Sequence, residues 1–264
     1  MSPQIYKDDK PKVSWVICAN KTNQYLFDAL DSCFNQTFRE FELIFVANGE
    51  HADEIASRVS AYYKNESRLR VFSSGLRGLT FNLSLGIYYA RANLIARMDA
   101  DDISMPERIQ KQFDFMSKNP NVSILGSAYT LIDQKGKTGK TFYPPTEDSK
   151  IRKKLIFSNV LCHPSVMLRR NVVENNGGYL GYIFAEDYDL WLNCLDDGSI
   201  VFANLDSVEL LYREEATGDA RGSKRAYAAA AASQLRCAIV TNSPLLLFAS
   251  LYTLIKAYLI SRRF

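Results

Sequence analysis

The chain has 264 residues, 47% apolar and 23% charged, which suits one large globular domain or one domain with an appendage. A net charge of +3 is too small to point to nucleic acid, and two histidines exclude a multi-histidine metal centre. The five cysteines, Cys18, Cys33, Cys162, Cys194 and Cys237, are scattered without a C-x-x-C spacing, so neither a zinc site nor a disulfide framework is indicated and a reducing compartment is expected.

The first half alternates strand and helix patterns. Residues 1–12 are polar, without the apolar core of a signal peptide. The run 13–19 reads as a strand, and 25–34 as a helix with Leu26, Leu30 and Phe34 at helical spacing. A second strand covers 41–46, and a helix over 54–64 carries Ile55, Val59 and Tyr62-Tyr63 on one side. A short strand at 70–72, a helix over 79–90 and a fourth strand at 94–98 follow. Repeated units of this kind imply an α/β fold, a mostly parallel, right-handed sheet with helices on both faces. Further along, Pro106 opens a helix to about Lys118, stopped by Asn119-Pro120. A strand is expected at 122–125, a hairpin turn at 134–137, a helix over 146–157, a strand at 165–168 and a helix over 188–195. Two separate strands are expected at 201–203 and 208–212.

Asp99-Ala100-Asp101-Asp102 directly follows the fourth strand. Three carboxylates at the carboxyl end of a buried parallel strand stand where open α/β sheets bind ligands. Carboxylates this close stay ionised together only beside a cation. A divalent metal carrying a diphosphate fits, because hard oxygen ligands suit Mg²⁺ or Mn²⁺. The plain alternative is that Asp101-Asp102 caps the following helix.

Residues 245–260 are nearly all apolar and Arg262-Arg263 follow. As a helix this run spans about 24 Å at 1.5 Å per residue, short of the roughly 30 Å hydrocarbon core of a bilayer. Two readings stay open. The helix lies in the membrane interface with its arginines toward anionic headgroups, or it docks on the domain or on a second copy in a homodimer.

Several segments together resemble the family 2 inverting glycosyltransferases of GT-A fold, over about residues 13–213. They are Asn20 with Tyr25-Leu26, Gln36-Thr37-Phe38, Phe41-Glu42-Leu43-Ile44, and Ile95 through Asp102. They continue with His163-Pro164-Ser165-Val166-Met167, Gly177-Gly178-Tyr179 and Ala185-Glu186-Asp187-Tyr188-Asp189-Leu190-Trp191-Leu192. Each is weak alone, and their order and spacing are specific. The resemblance implies a catalytic domain over 1–220, with a nucleotide-sugar half to about 102 and an acceptor half after it. Residues 221–264 would be C-terminal helices at the membrane.

The resemblance also implies roles. Asp101 and Asp99 hold the metal, and Asp99 with Ala100 also faces the nucleotide. Ala19, Asn20, Asn48, Arg77 and Arg213 complete nucleotide-sugar binding, with Arg213 suited to the leaving diphosphate. Asp187 is the base that takes the acceptor proton, and Glu186 orients it or binds acceptor. Asp102 positions the donor sugar or caps a helix, His163 touches acceptor or phosphate or is structural, and Trp191 is a sugar platform or core. The implied activity is metal-dependent hexosyl transfer, with inversion, from a nucleotide sugar such as a UDP-sugar. The acceptor would be a polyprenyl-diphosphate-linked saccharide at the inner face of the cell membrane, in O-antigen or capsule assembly.

The chain departs from the family in three places. Ala47-Asn48 replaces an acidic pair, Cys18-Ala19-Asn20 replaces a Pro-x-Tyr-Asn, and Glu215 replaces a histidine. The first keeps open a non-catalytic sugar-nucleotide or glycan-binding module. A sugar nucleotidyltransferase is disfavoured because the loop Asn20-Lys21-Thr22-Asn23 has no glycine.

Overall fold

The computed structural model describes residues 10–179, 184–214 and 223–260. Glu215 and Arg262-Arg263 lie outside the described residues. The first half follows the expected alternation: β1 (Val13–Ala19), α1 (Leu26–Phe34), β2 (Phe41–Asn48), α2 (Ala52–Tyr62), β3 (Leu69–Ser74), α3 (Leu79–Tyr88) and β4 (Leu94–Arg97). Then come β5 (Ile103–Ser104), α4 (Arg108–Lys118), β6 (Ile124–Ile132), β7 (Thr138–Phe142) and α5 (Asp148–Leu155). A 3-10 turn (His163–Ser165), β8 (Met167–Arg169), α6 (Arg170–Asn175), α7 (Glu186–Leu195), β9 (Phe202–Arg213), α8 (Lys224–Thr241) and α9 (Pro244–Ile260) complete the order.

One sheet runs β3-β2-β1-β4-β8-β6-β9-β5, with β7 on β6. Its long ladders, β1 with β2, β2 with β3 and β6 with β9, are parallel, whereas the antiparallel pairings of β8, β7 and β5 are short. Side chains alternate across β1 and β2, as a period of two requires. Val13, Trp15, Ile17, Leu43 and Phe45 pack with α1, α2 and α4 on one face. Val16, Ile44 and Val46 pack with α3, α5 and α7 on the other.

Several elements differ from the sequence reading, among them β6, which runs on to Ile132, and β7, which has no strand counterpart there. The single strand β9 replaces two, because a register shift against β6 near Ala128 absorbs the polar residues Asp206-Ser207. Helix α4 begins at Arg108 and not at Pro106, and β5 and α6 are too short to carry a periodic signal. Trp191 is fully buried. That corrects its reading as a sugar platform, since no ring face is open to a ligand.

The C-terminal helices form a hairpin around Asn242, which ends α8 in the left-handed conformation (φ 53°). Helix α8 is fastened by Gln234, which donates to the Ile156 carbonyl (2.9 Å) and the Tyr188 hydroxyl (3.0 Å), and by Arg236 paired with buried Asp189 (2.9 Å). Helix α9 buries Leu246, Ala249, Ser250, Thr253 and Ala257 and exposes Phe248, Leu251, Ile255 and Leu259. Among the described residues no helix is long and apolar enough to cross a membrane.

Candidate active site

The carboxyl ends of β1, β2 and β4 open into a cleft of about 840 Å³. Its lining includes Ala19, Asn20, Asn48, Arg77, Asp99, Ala100, Asp101, His163, Glu186, Asp187 and Arg213. The two acidic patches, 87 residues apart from Asp99 to Glu186 in the sequence, therefore share one cavity. Asp102 and Trp191 are not part of the wall.

Hydrogen bonds fix the loop after β4. Buried Met98 and Asp102 anchor its two ends in the interior. The Asp102 carboxylate accepts the Arg213 backbone N–H (2.8 Å), tying the loop to the end of β9. The Arg213 Nε donates to the Asp101 carbonyl (2.8 Å), and its guanidinium lies 4.0 Å from the Tyr25 ring centroid. From below, Arg108 donates to the Arg97 carbonyl (2.7 Å). This corrects both readings of Asp102: it neither faces the donor nor caps a helix. Burial, with the charge of Asp99 next, raises its pKa well above the ordinary carboxylate range.

Arg97 supplies the local positive charge. Its side chain is 4% exposed and its Nη2 pairs with Asp99 Oδ1 at 2.6 Å. Burial opposes its charge, but Asp99, Tyr179 and Glu186 outweigh that and raise its pKa. Its Nε and Nη1 are buried and, among the described residues, have no hydrogen-bond partner. Donors of this kind in a cleft wall suit an anionic ligand.

Helix α7 opens on the second patch. Asp187 accepts a hydrogen bond from Asn159 Nδ2 on one oxygen and from the Tyr188 N–H on the other, both at 2.7 Å. Burial raises the Glu186 pKa to about 7; the Asp187 charge adds to the shift, and Arg97 works against it. His163 bonds the Tyr179 hydroxyl (2.8 Å) and stands edge-on to Trp191, with ring centroids 6.1 Å apart.

A second cavity of about 580 Å³ adjoins the first and shares His163, Phe184 and Asp187 with it. Sequence reasoning missed this cavity, because its walls come from α5, α8, α9 and the 157–163 loop, which share no local pattern. It also missed Lys21, Asn23 and the 78–80 segment of the cleft. Gly78, at φ 147° before α3, carried the signal of a glycine helix start.

Among the described residues no three metal-ligating side chains cluster. Asp99 and Asp101 still offer hard oxygen donors in one cleft. Two carboxylates fit an ion that completes its shell with waters and substrate phosphate oxygens, as Mg²⁺ and Mn²⁺ do.

The family profile described as Glycosyl transferase family 2 matches residues 14–177. The chain belongs to this family. It is a glycosyltransferase by that membership. It is 34% identical over 202 residues to the O-antigen biosynthesis glycosyltransferase WbnJ of Escherichia coli, covering 76% of this chain and 79% of that one. It is 29% identical over 194 residues to an Escherichia coli enzyme named UDP-Gal:alpha-D-GlcNAc-diphosphoundecaprenol beta-1,3-galactosyltransferase, covering 72% and 70%. The fold resembles a mannosyltransferase, PcManGT, from Pyrobaculum calidifontis, solved with GDP-Man and Mn²⁺. The TM-score is 0.66 at 12% identity, over 94% of this chain and 73% of that one.

Proposed function

We propose that this glycosyltransferase moves a hexose from a UDP-sugar to a lipid-linked saccharide, with inversion and with a divalent metal, during assembly of O-antigen or a related surface polysaccharide. The observation that carries this reading is the position of Asp187, the carboxylate common to the donor cleft and the adjoining cavity. A base for single displacement has to reach the acceptor hydroxyl on one side and the sugar on the other. Glu186 lines the cleft but not the second cavity.

In this reading the acceptor oxygen attacks the anomeric carbon as Asp187 takes its proton. The bond from that carbon to the diphosphate oxygen breaks, and nucleoside diphosphate leaves. Arg97 and Arg213 face the departing negative charge. Asp101 and Asp99 would hold a metal, which offsets charge on the diphosphate. Asn48, 4% exposed at the end of β2 and in the cleft wall, would meet the nucleobase. An amide both donates and accepts, as the edge of uracil requires. The lipid-linked acceptor is supported by the name of the diphosphoundecaprenol-dependent galactosyltransferase, and the O-antigen setting by the name of WbnJ.

A donor panel of UDP-, dTDP- and GDP-sugars tests the reading, scored by metal-dependent thermal stabilisation and by transfer. UDP-sugars should stabilise the protein, since a ligand bound only to the folded state raises its stability. Asp187→Asn should keep that stabilisation and lose about 10²–10⁴-fold in kcat, the range for a positioned base. Transfer that survives Asp187→Asn within tenfold of wild type would remove the base from Asp187.

A further inference from the structure

We propose that the second cavity holds the diphosphate and first sugar of the acceptor. Lys154 and Lys256 bind the diphosphate there, and the outer face of α9 rests on the lipid that carries it. This rests on the transferase reading above and names the subsite that the acceptor would occupy.

Asp187 lines the cavity, so a ligand there lies beside the proposed base. Its walls are rich in aromatic rings. Tyr129 and Phe142 stack with centroids 5.1 Å apart, while Tyr143 and Phe157 are exposed. Such faces suit the apolar side of a sugar ring. Two cations stand in the same wall, Lys154 from the last turn of α5 and Lys256 from α9. Among the described residues neither lysine has an ion pair, and Asp187 is the sole acid of the lining. The Lys256 Nζ lies 4.4 Å from the Tyr252 ring centroid. Two ammonium groups, neither ion-paired and with Asp187 the only acid among the described lining residues, suit a phosphate-bearing ligand.

Helix α9 supplies the rest of the argument. Thr253 and Lys256 line the cavity, and Leu251, Tyr252, Ile255 and Leu259 of the same helix are exposed. The cavity joins aromatic walls and two lysines, and the helix that carries Lys256 also bears an exposed apolar face. Those are the features that a saccharide, a diphosphate and a lipid each require. A free sugar phosphate would leave the apolar face unused, and an uncharged glycoside would leave the lysines unused. The sequence has no Asp or Glu after Asp219, so nothing on these helices repels an anionic ligand.

The test uses the full chain in neutral detergent micelles, which contain no anionic headgroup. Two acceptors are compared: a saccharide linked through diphosphate to a long-chain lipid, and the same saccharide on an uncharged lipid. Lys154→Ala with Lys256→Ala should raise KM tenfold or more for the first acceptor and no more than twofold for the second, with kcat within threefold in both. Equal KM changes for the two acceptors, or none for either, would overturn the inference while the transferase reading stands. An effect of the lysines that arises only when anionic vesicles are added would also overturn it, by assigning them to membrane headgroups. Failure of wild type to use any lipid-linked acceptor, with transfer to a soluble one, would remove the acceptor reading and this subsite together.

Discussion

Neighbouring carboxylates in this site do different work because their surroundings differ. Asp99 faces the cleft and is tied to Arg97, whereas Asp102, three residues on, is buried and spends one oxygen on the Arg213 backbone. The sequence run Asp99-Ala100-Asp101-Asp102 does not separate these roles, since burial is set by β9, more than 100 residues later. The position of the run at the end of a strand was legible. The pair Lys154 and Lys256 was not, because two lysines 102 positions apart carry no spacing signal.

Glu186 allows a prediction at the same scale. Its folded pKa of about 7 lies above the 4.5 of an ordinary glutamate. Between those values the folded chain holds a proton that the unfolded chain has released, so stability falls as pH rises through this window. Above it the full penalty of a buried charge is present. Glutamine carries no such penalty. Glu186→Gln should therefore leave the thermal midpoint unchanged near pH 4.5 and raise it at pH 8, each kcal/mol relieved giving about 2–4 °C. Calorimetry at the two pH values decides it, and a gain that does not grow with pH would place Glu186 in a more solvated setting.

At the scale of elements, the clearest signals were the strand–helix alternations of the first half, where each strand is a short apolar run and α1 and α2 each have one apolar stripe. The second half was harder to read. Strand β9 crosses a polar stretch through a bulge, so its sequence reads as two strands, yet only the continuous strand carries Arg213 to the Asp loop. Helix α3 gives a sharper case of sequence encoding packing. Gly86 lies where α3 crosses β1, and a Cβ there would stand 2.5 Å from Val16 Cγ1. Val16 is 1% exposed and β-branched, so it has little room to turn. Alanine favours a helix interior by up to about 1 kcal/mol over glycine. Forcing a methyl into a packed core costs about 1–3 kcal/mol. The clash should prevail, and Gly86→Ala should lower unfolding free energy by about 1–2 kcal/mol by urea denaturation. An unchanged or higher midpoint would mean that α3 can slide away from the sheet.

At the scale of the molecule, the exposed apolar surface is concentrated on the C-terminal hairpin. Phe248, Leu251, Leu254, Ile255, Tyr258 and Leu259 are each more than 40% exposed, and Ile239 and Val240 at the end of α8 extend the area. Surface this apolar on one pair of helices marks an interaction face. The lipid surface proposed for this face agrees with the basic, acid-free composition beyond Asp219. One side of α9 packs on α8, as the docking reading of the segment expects, while Leu251, Ile255 and Leu259 on its other side are exposed. The open side permits a substitution that tests membrane attachment without disturbing the hairpin. Leu251 and Ile255 are 54% and 57% exposed. Glutamate at both positions adds two like charges one turn apart, which costs the helix only a few tenths of a kcal/mol. On a bilayer the same change removes two apolar anchors and brings negative charge toward anionic headgroups. Leu251→Glu with Ile255→Glu should therefore move the protein from vesicle-bound to free in a flotation assay with anionic vesicles, while the urea midpoint stays in place. If binding persists undiminished, the membrane contact belongs elsewhere; if instead the midpoint falls sharply, this face is covered by protein in solution, and the occupant is a second copy of the chain.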